Sequence, residues 1–290
     1  MLTTDDHRRD SAGLVYVYPV ISRRAGGVSI GINLNPNNAC NWACVYCQVE
    51  NLTRGGPPPI SLDTLERELA GFLEEALHGD FMRRDVPPEA RRLMDVAFSG
   101  NGEPTSAPEF ADAVACLAAV LERFNQKGKL MVRLITNGSL MHRPEVQLGI
   151  ERLAELGGEV WFKIDRAEAA EVVEINGVPG QPEKMAKNLK ICATLAPTWV
   201  QTCWFALDGV APSATSRSAY CNLLRPLAGE LAGVHLYGLA RPSMQPAAIR
   251  LSALSAQSLQ GGGQSLDGAS RAGGAGATSS RGRWRQGQRL

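Results

Sequence analysis

No stretch of this 290-residue sequence stays apolar for long enough to cross a bilayer. The longest such run, AVACLAAVL at 113–121, covers nine residues, against the roughly 20 that a spanning helix needs. The opening MLTTDDHRRD mixes acids and bases with no apolar core behind it and does not read as a secretory signal. An excess of one charge is missing as well: 30 Lys and Arg face 29 Asp and Glu, a formal net charge of +1, which by itself points to no polyanionic partner. The seven cysteines lack the even count and regular spacing of a disulfide framework. A cytoplasmic location and no membrane partner are the expectation.

The charge balance is nevertheless uneven. Residues 255–290 hold five Arg against the single acid Asp267, a net of +4, which leaves −3 for residues 1–254. The same tail has nine Gly and six Ser in 36 positions. It cannot bury enough surface to offset its ordering entropy, so a disordered C-terminal tail is expected. The length admits one domain or two. We divide the chain into an N-terminal extension (1–27), a core (28–254) and the tail (255–290).

Within the core, strand-like and helix-like segments alternate. Strands are expected at 28–34, 93–99, 129–136, 159–165, 199–207 and 234–238. Helices are expected at 61–79 with Ser61 as N-cap, from Pro108 to about Phe124, from Pro144 to Leu156, at 168–175, at 182–195, and more weakly at 213–228. Strands separated by helices imply a parallel α/β sheet, because each parallel return needs a crossover. Alternation along the strands puts Val160, Phe162 and Ile164 on one face and Trp161, Lys163 and Asp165 on the other. The polar face also carries Arg133, Gln201, Cys203, His235 and Tyr237. An open sheet covered on both sides should be apolar on both. A curved or barrel sheet with a polar interior therefore accounts for these residues; ordinary polarity at strand ends is the alternative.

The segment NNACNWACVYCQVE at 37–50 spaces Cys40, Cys44 and Cys47 as CxxxCxxC, just past the first strand. Three thiolates on one short loop can hold three irons of a 4Fe-4S cube and leave the fourth iron open. A structural zinc site in a non-enzymatic binding module is the competing reading. Zinc wants four ligands, and no other Cys or His lies near this loop in sequence.

CxxxCxxC with Tyr46 before its last cysteine resembles the signature of the radical S-adenosylmethionine superfamily. The resemblance extends over most of residues 20–245 and implies a partial (β/α)6 TIM-like barrel. It implies a 4Fe-4S cluster on Cys40, Cys44 and Cys47, with S-adenosylmethionine chelating the open iron through its amino and carboxylate groups. Reductive cleavage of the sulfonium would then give methionine and a 5′-deoxyadenosyl radical that abstracts hydrogen from a substrate. Gly100-Asn101-Gly102-Glu103 resembles the superfamily's Gly-Gly-Glu motif, whose backbone meets the methionine amino group. Asn stands where the first Gly often is. ITNGS at 135–139 implies cofactor contacts from Thr136 and Asn137; a plain Asn-Gly turn is the alternative. Lys163 and Asp165 imply contacts to the cofactor's ribose or carboxylate, with an ion pair between them or with Arg133 as the alternative. Arg133, Lys163, Asp165 and Gln201 are the catalytic candidates. Tyr46 and Asn176 join the cofactor set, and Arg241 is a weaker candidate.

SRRAGGVSIGINLNP, CVYCQ and FSGNGEPT further resemble an Fe-S oxidoreductase group related to the wyosine tRNA-modification enzymes. Those carry additional N-terminal cysteines, whereas none precedes Cys40 here. The resemblance implies an electron donor such as flavodoxin or ferredoxin and a substrate that is either a small molecule or a tRNA.

Overall fold

A computed structural model describes residues 2–3, 13–22, 26–239, 241–255 and 285–286. The chain forms two compact units. The first comprises Met1–Asn41, Thr53–Thr136 and His142–Val160, the second Trp42–Leu52, Asn137–Met141 and Trp161–Leu290.

The first unit begins with β1 (Val17–Ser22), antiparallel to β2 (Gly27–Ile32). Two short strands, β3 (Ala39–Cys40) and β4 (Thr53–Arg54), pair in parallel around the start of the cysteine segment. Strands β5 (Leu93–Phe98) and β6 (Met131–Thr136) continue the sheet, with β2, β5 and β6 mutually parallel. The helices are α1 (Leu62–Leu77), the short α2 (Phe81–Arg84), α3 (Phe110–Arg123) and α4 (Pro144–Glu155).

Helix α1 starts where the sequence places it: Ser61 Oγ accepts the backbone N–H of Thr64. Its buried stripe Leu65, Leu69, Phe72, Leu73 and Ala76 follows the helical period. Val28, Ile30 and Ile32 of β2, with Val96 and Phe98 of β5, are buried as the other side of this core. Phe98 meets Phe110 of α3 edge to face at 5.7 Å, and each such buried side chain contributes about 1.5–3 kcal/mol.

Strand β1 lies inside the segment assigned to an N-terminal extension. Pro19 argues against a central strand, but β1 ends the sheet order, where a missing N–H costs no ladder bond. Its start is anchored by Glu68 of α1, which is 8% exposed. The Glu68 carboxylate accepts the backbone N–H groups of Val15, Tyr16 and Val17 at 2.9, 2.8 and 3.2 Å.

The second unit holds β7 (Glu159–Lys163), whose first two residues belong to the other unit, then β8 (Thr198–Cys203), β9 (Ala206–Leu207), β10 (Gly233–Tyr237) and β11 (Leu251–Ser252). Strand order runs β7-β8-β10, with β8 and β10 parallel. The helices are α5 (Ala169–Asn176), α6 (Pro182–Leu195) and α7 (Ala214–Leu224). The strand expected at 199–207 is two strands: the chain leaves the sheet after Cys203, and Ala206–Leu207 pairs antiparallel with β11. His235 of β10 stacks on Trp199 at 4.5 Å and meets Trp161 edge-on at 5.0 Å, so aromatic packing fills part of the face expected to be polar.

Parallel strands joined through helices are thus the observed α/β class. Of the tail expected to be disordered, residues 256–284 and 287–290 lie outside the described residues; β12 (Arg285–Gln286) pairs in parallel with β10. Among the described residues no helix is long and apolar enough to cross a membrane.

Replacing Glu68 with Ala strands the buried N–H donors at the start of β1. A loss of about 3 kcal/mol is expected, read as a lower urea midpoint at unchanged slope, with Glu68→Gln recovering part of it.

Candidate functional site

In the first unit, the chain leaving β2 carries two buried asparagines that sequence reasoning did not single out. Asn33 Oδ1 accepts the N–H groups of Asn35 and Asn101 at 3.1 and 3.0 Å. Asn35 Nδ2 donates to the Ala39 carbonyl at 3.0 Å and to Ser106 Oγ at 3.3 Å. These bonds hold the 100–103 loop after β5 against the segment entering Cys40. Asn101 Nδ2 adds a bond to Asn38 Oδ1 at 2.7 Å.

Both glycines of that loop are required by close approach. Gly100 has φ +153, and a Cβ there would lie 2.3 Å from Asn33 Oδ1. A Cβ on Gly102 would lie 2.1 Å from the Ala39 carbonyl. Glu103, by contrast, turns inward: at 2% exposed, its Oε1 accepts Thr105 N–H at 3.1 Å and the hydroxyls of Thr105 and Thr136, each at 2.6 Å. Thr136 and Glu103 are therefore brought together as a structural pair under the loop, and the exposed loop chemistry is that of the backbone at 100–102.

Arg133 is engaged in its own unit. It donates to Asp95 through Nη1 and to Glu159 through Nε at 2.7 Å, and Ser29 Oγ donates to Asp95. Burial raises the Asp95 pKa, against the lowering effects of Arg133 and Ser29.

In the second unit, Asp165, 1% exposed, is a hub. Its Oδ1 accepts the Cys203 N–H at 2.8 Å. Its Oδ2 accepts Asn176 Nδ2 at 3.2 Å and the Tyr46 hydroxyl. Burial, then Asp165, pushes the Tyr46 pKa well up, so Tyr46 remains a phenol donor. Lys163 does not form an ion pair with Asp165 within 4.0 Å among the described residues. Its Nζ donates to Tyr237 Oη at 3.1 Å and lies 5.0 Å from the Tyr46 ring centroid. Burial works to lower the Lys163 pKa, but Tyr237 and Asp165 outweigh it and the net direction is up, so the ammonium persists. Gln201 is buried on β8 opposite His235.

The cysteine loop is gripped by the end of α5. The Asn176 and Ile175 carbonyls accept the N–H groups of Ala43 and Val45 at 3.0 and 2.9 Å. Asn176 Nδ2 also donates to Cys44 Sγ at 3.3 Å. Past Cys47 the loop is braced by the segment containing Arg241: Arg241 Nη1 donates to Gln48 Oε1 at 3.1 Å, Ser243 Oγ to the Val45 carbonyl at 2.7 Å, and Gln245 Nε2 to the Val49 carbonyl at 2.8 Å. Arg241 was marked in the sequence only by its place after the sixth strand; nothing in the pattern marked Ser243 or Gln245.

None of the seven cysteines forms a disulfide, and Cys40, Cys44 and Cys47 are partly exposed whereas Cys192, Cys203 and Cys221 are buried. Burial and Asp165 push the Cys44 thiol up to about 12. It keeps its proton at neutral pH unless a metal displaces it, and Asn176 supplies a donor that suits a metal-bound sulfur. Among the described residues no three His, Cys, Asp or Glu groups converge as ligands of a single metal ion. Thiols are the ligand type that iron-sulfur clusters take, each ligand on a separate iron.

Asn137, 7% exposed, accepts the Ser139 N–H at 3.0 Å in a local turn. The same turn lines a cavity of about 240 Å³ with Trp42, Phe162, Lys184 and Asn188. Gly138 has φ +69 and a Cβ there would lie 1.9 Å from the Phe162 ring.

Among solved structures, a radical SAM methyltransferase from Sphaerobacter thermophilus superposes with a TM-score of 0.58 over 93% of this chain and 69% of that one, at 16% identity. The chain shares the fold of that enzyme. HydG, a maturase of the [FeFe]-hydrogenase, shares it with a TM-score of 0.51 over 84% of this chain and 49% of that one, at 10% identity. By sequence, 132 residues, 44% of this chain, are 30% identical to the GTPase Obg of Brachyspira hyodysenteriae (strain ATCC 49526 / WA1). The match spans 16% of that protein, and the present sequence has no GxxxxGK(S/T) phosphate loop. No protein-family model matches the sequence.

Two substitutions test this geometry. Gly102→Ala forces the new methyl against the Ala39 carbonyl and should cost about 1–3 kcal/mol, read in thermal unfolding, whereas Gly56→Ala, with open space around it, should be neutral. Arg133→Met leaves Asp95 buried without its cation and should lose about 3–5 kcal/mol near pH 8. A carboxyl whose folded pKa lies above its unfolded value binds its proton more tightly when folded, so protonation adds stability as the pH falls. The Arg133→Met deficit should therefore shrink near pH 5; an unchanged deficit would assign it to packing.

Proposed function

We propose that the chain is a radical S-adenosylmethionine enzyme using one 4Fe-4S cluster held by Cys40, Cys44 and Cys47. The observation that carries this reading is a CxxxCxxC segment, with Tyr46 before its last cysteine, in a chain that shares the fold of a radical SAM methyltransferase. When bound, the cluster and S-adenosylmethionine supply an electron and a sulfonium whose reductive cleavage generates a 5′-deoxyadenosyl radical for hydrogen abstraction.

The residues divide the remaining work. The backbone at Gly100, Asn101 and Gly102 is pre-set by Asn33 and Asn35 and offers close approach to the methionine amino group. Lys163, kept cationic, offers a charge to the methionine carboxylate. Asp165 holds Tyr46 and Asn176 in place and so acts as a positioning residue. Asn137, beside Thr136 in sequence, is a candidate for cofactor contact, whereas Thr136 acts through Glu103. Gln201 is a candidate for substrate contact, and Arg133 works through the structure, its guanidinium being held by Asp95 and Glu159.

The electron comes from a small carrier such as a flavodoxin or ferredoxin. The net −3 of residues 1–254 favours a small molecule over a wyosine-type tRNA substrate, since RNA binders usually present a basic footprint. Retention of tRNA that weakens steeply with salt would reverse that preference.

Anaerobic reconstitution with iron and sulfide should give about four irons per chain and, on reduction with S-adenosylmethionine, 5′-deoxyadenosine. Both should disappear when Cys40, Cys44 and Cys47 are replaced together by Ala. A single bound zinc without acid-labile sulfide after anaerobic purification would favour a structural metal instead.

A further inference from the structure

We propose that Asn176 is a positioning residue that sets the reduction potential of the cluster through an N–H···S hydrogen bond to Cys44. This rests on the reading that Cys44 is a cluster ligand.

Three observations carry it. The amide nitrogen of Asn176 has two hydrogens and two acceptors within reach, Cys44 Sγ at 3.3 Å and Asp165 Oδ2 at 3.2 Å. Both neighbours accept, so the amide must face them with nitrogen rather than oxygen. The group is also enclosed. Asn176 is 1% exposed and ends α5, and the chain turns away at once through Gly177 at φ +65. Its own carbonyl accepts the Ala43 N–H at 3.0 Å, so the residue that donates to the sulfur also fixes the backbone beside it. The Asp165 carboxylate is in turn fixed by the Cys203 N–H and the Tyr46 hydroxyl. The donor to Cys44 is therefore aimed by two further residues, as in outer-shell partners that tune metal ligands.

The consequence follows from charge. Reducing the cluster adds an electron that is shared with its sulfurs. A hydrogen-bond donor at a ligand sulfur stabilises that added charge and raises the potential. A carboxylate held 3.2 Å from the same amide nitrogen opposes reduction, so the amide also separates Asp165 from the sulfur. Removing the amide both deletes the donor and uncovers the acid.

The test compares reconstituted wild-type protein with Asn176→Ala and the isosteric Asn176→Asp. Iron and sulfide content are measured first, then the midpoint potential by anaerobic redox titration followed by electron paramagnetic resonance. Both variants should load the cluster and shift the potential to more negative values, further for Asn176→Asp, which places a charge beside the sulfur. At a fixed applied potential the reduced fraction should fall in the same order. A wild-type potential in either fully loaded variant overturns the proposal. So does a loss of loading in both variants without a shift in the clusters that do form, because that would give Asn176 an assembly role alone. Failure of the unsubstituted chain to take up any iron and sulfide would refute the cluster reading itself, and this inference with it.

Discussion

The second unit is organised around a carboxylate that has no access to water. Asp165 is buried at the end of β7, and an isolated charge there would be costly. Its oxygens are satisfied by one donor from the cysteine loop, one from the end of α5 and one from the backbone at the end of β8. Each donor comes from a different segment, so satisfying the charge fixes the segments relative to one another. The backbone carbonyl of Asp165 extends the arrangement, accepting Arg166 Nη1 at 2.8 Å and Trp204 Nε1 at 3.2 Å. Loss of any one partner leaves the others around an under-solvated acid, and so the network behaves as a unit.

The first unit solves a different problem with neutral groups. Its loop after β5 must run close to the chain entering Cys40, and two glycines remove the side chains that would collide. Two asparagines then satisfy the backbone groups exposed by that approach. Glycine gives closeness at the cost of backbone entropy, and the asparagine bonds offset that cost. The result is a loop whose backbone is ordered although few of its own side chains are used.

Much of this was legible in advance. The core strands and helices follow hydrophobic period and capping chemistry, and Ser61 does what its position suggests. The cysteines declared themselves by spacing. Strand β1 was not legible, because its Pro19 signals an interruption and only its place at the sheet edge removes the objection. Glu68 was equally hidden: an acid on an amphipathic helix is ordinarily solvent-facing, and its three N–H donors lie more than 50 residues away. Lys163 and Asp165 share a face as alternate strand residues, which left an ion pair between them open as the alternative to cofactor contacts. The fold gives them separate partners, since facing the same way does not set which donor is nearer.

The sequence by itself determined the chemistry available to this protein: three thiolates on one loop, a glycine-bearing turn after a strand, and charged groups at strand ends. Those are local properties, readable from residue type and spacing. Tertiary structure decided which of these groups are tied to one another. Asn176 lies 132 residues from Cys44 in sequence and Asp165 119 from Tyr46. Such pairings arise because burial forces each polar group to find a partner, and only the folded chain determines which one is within reach.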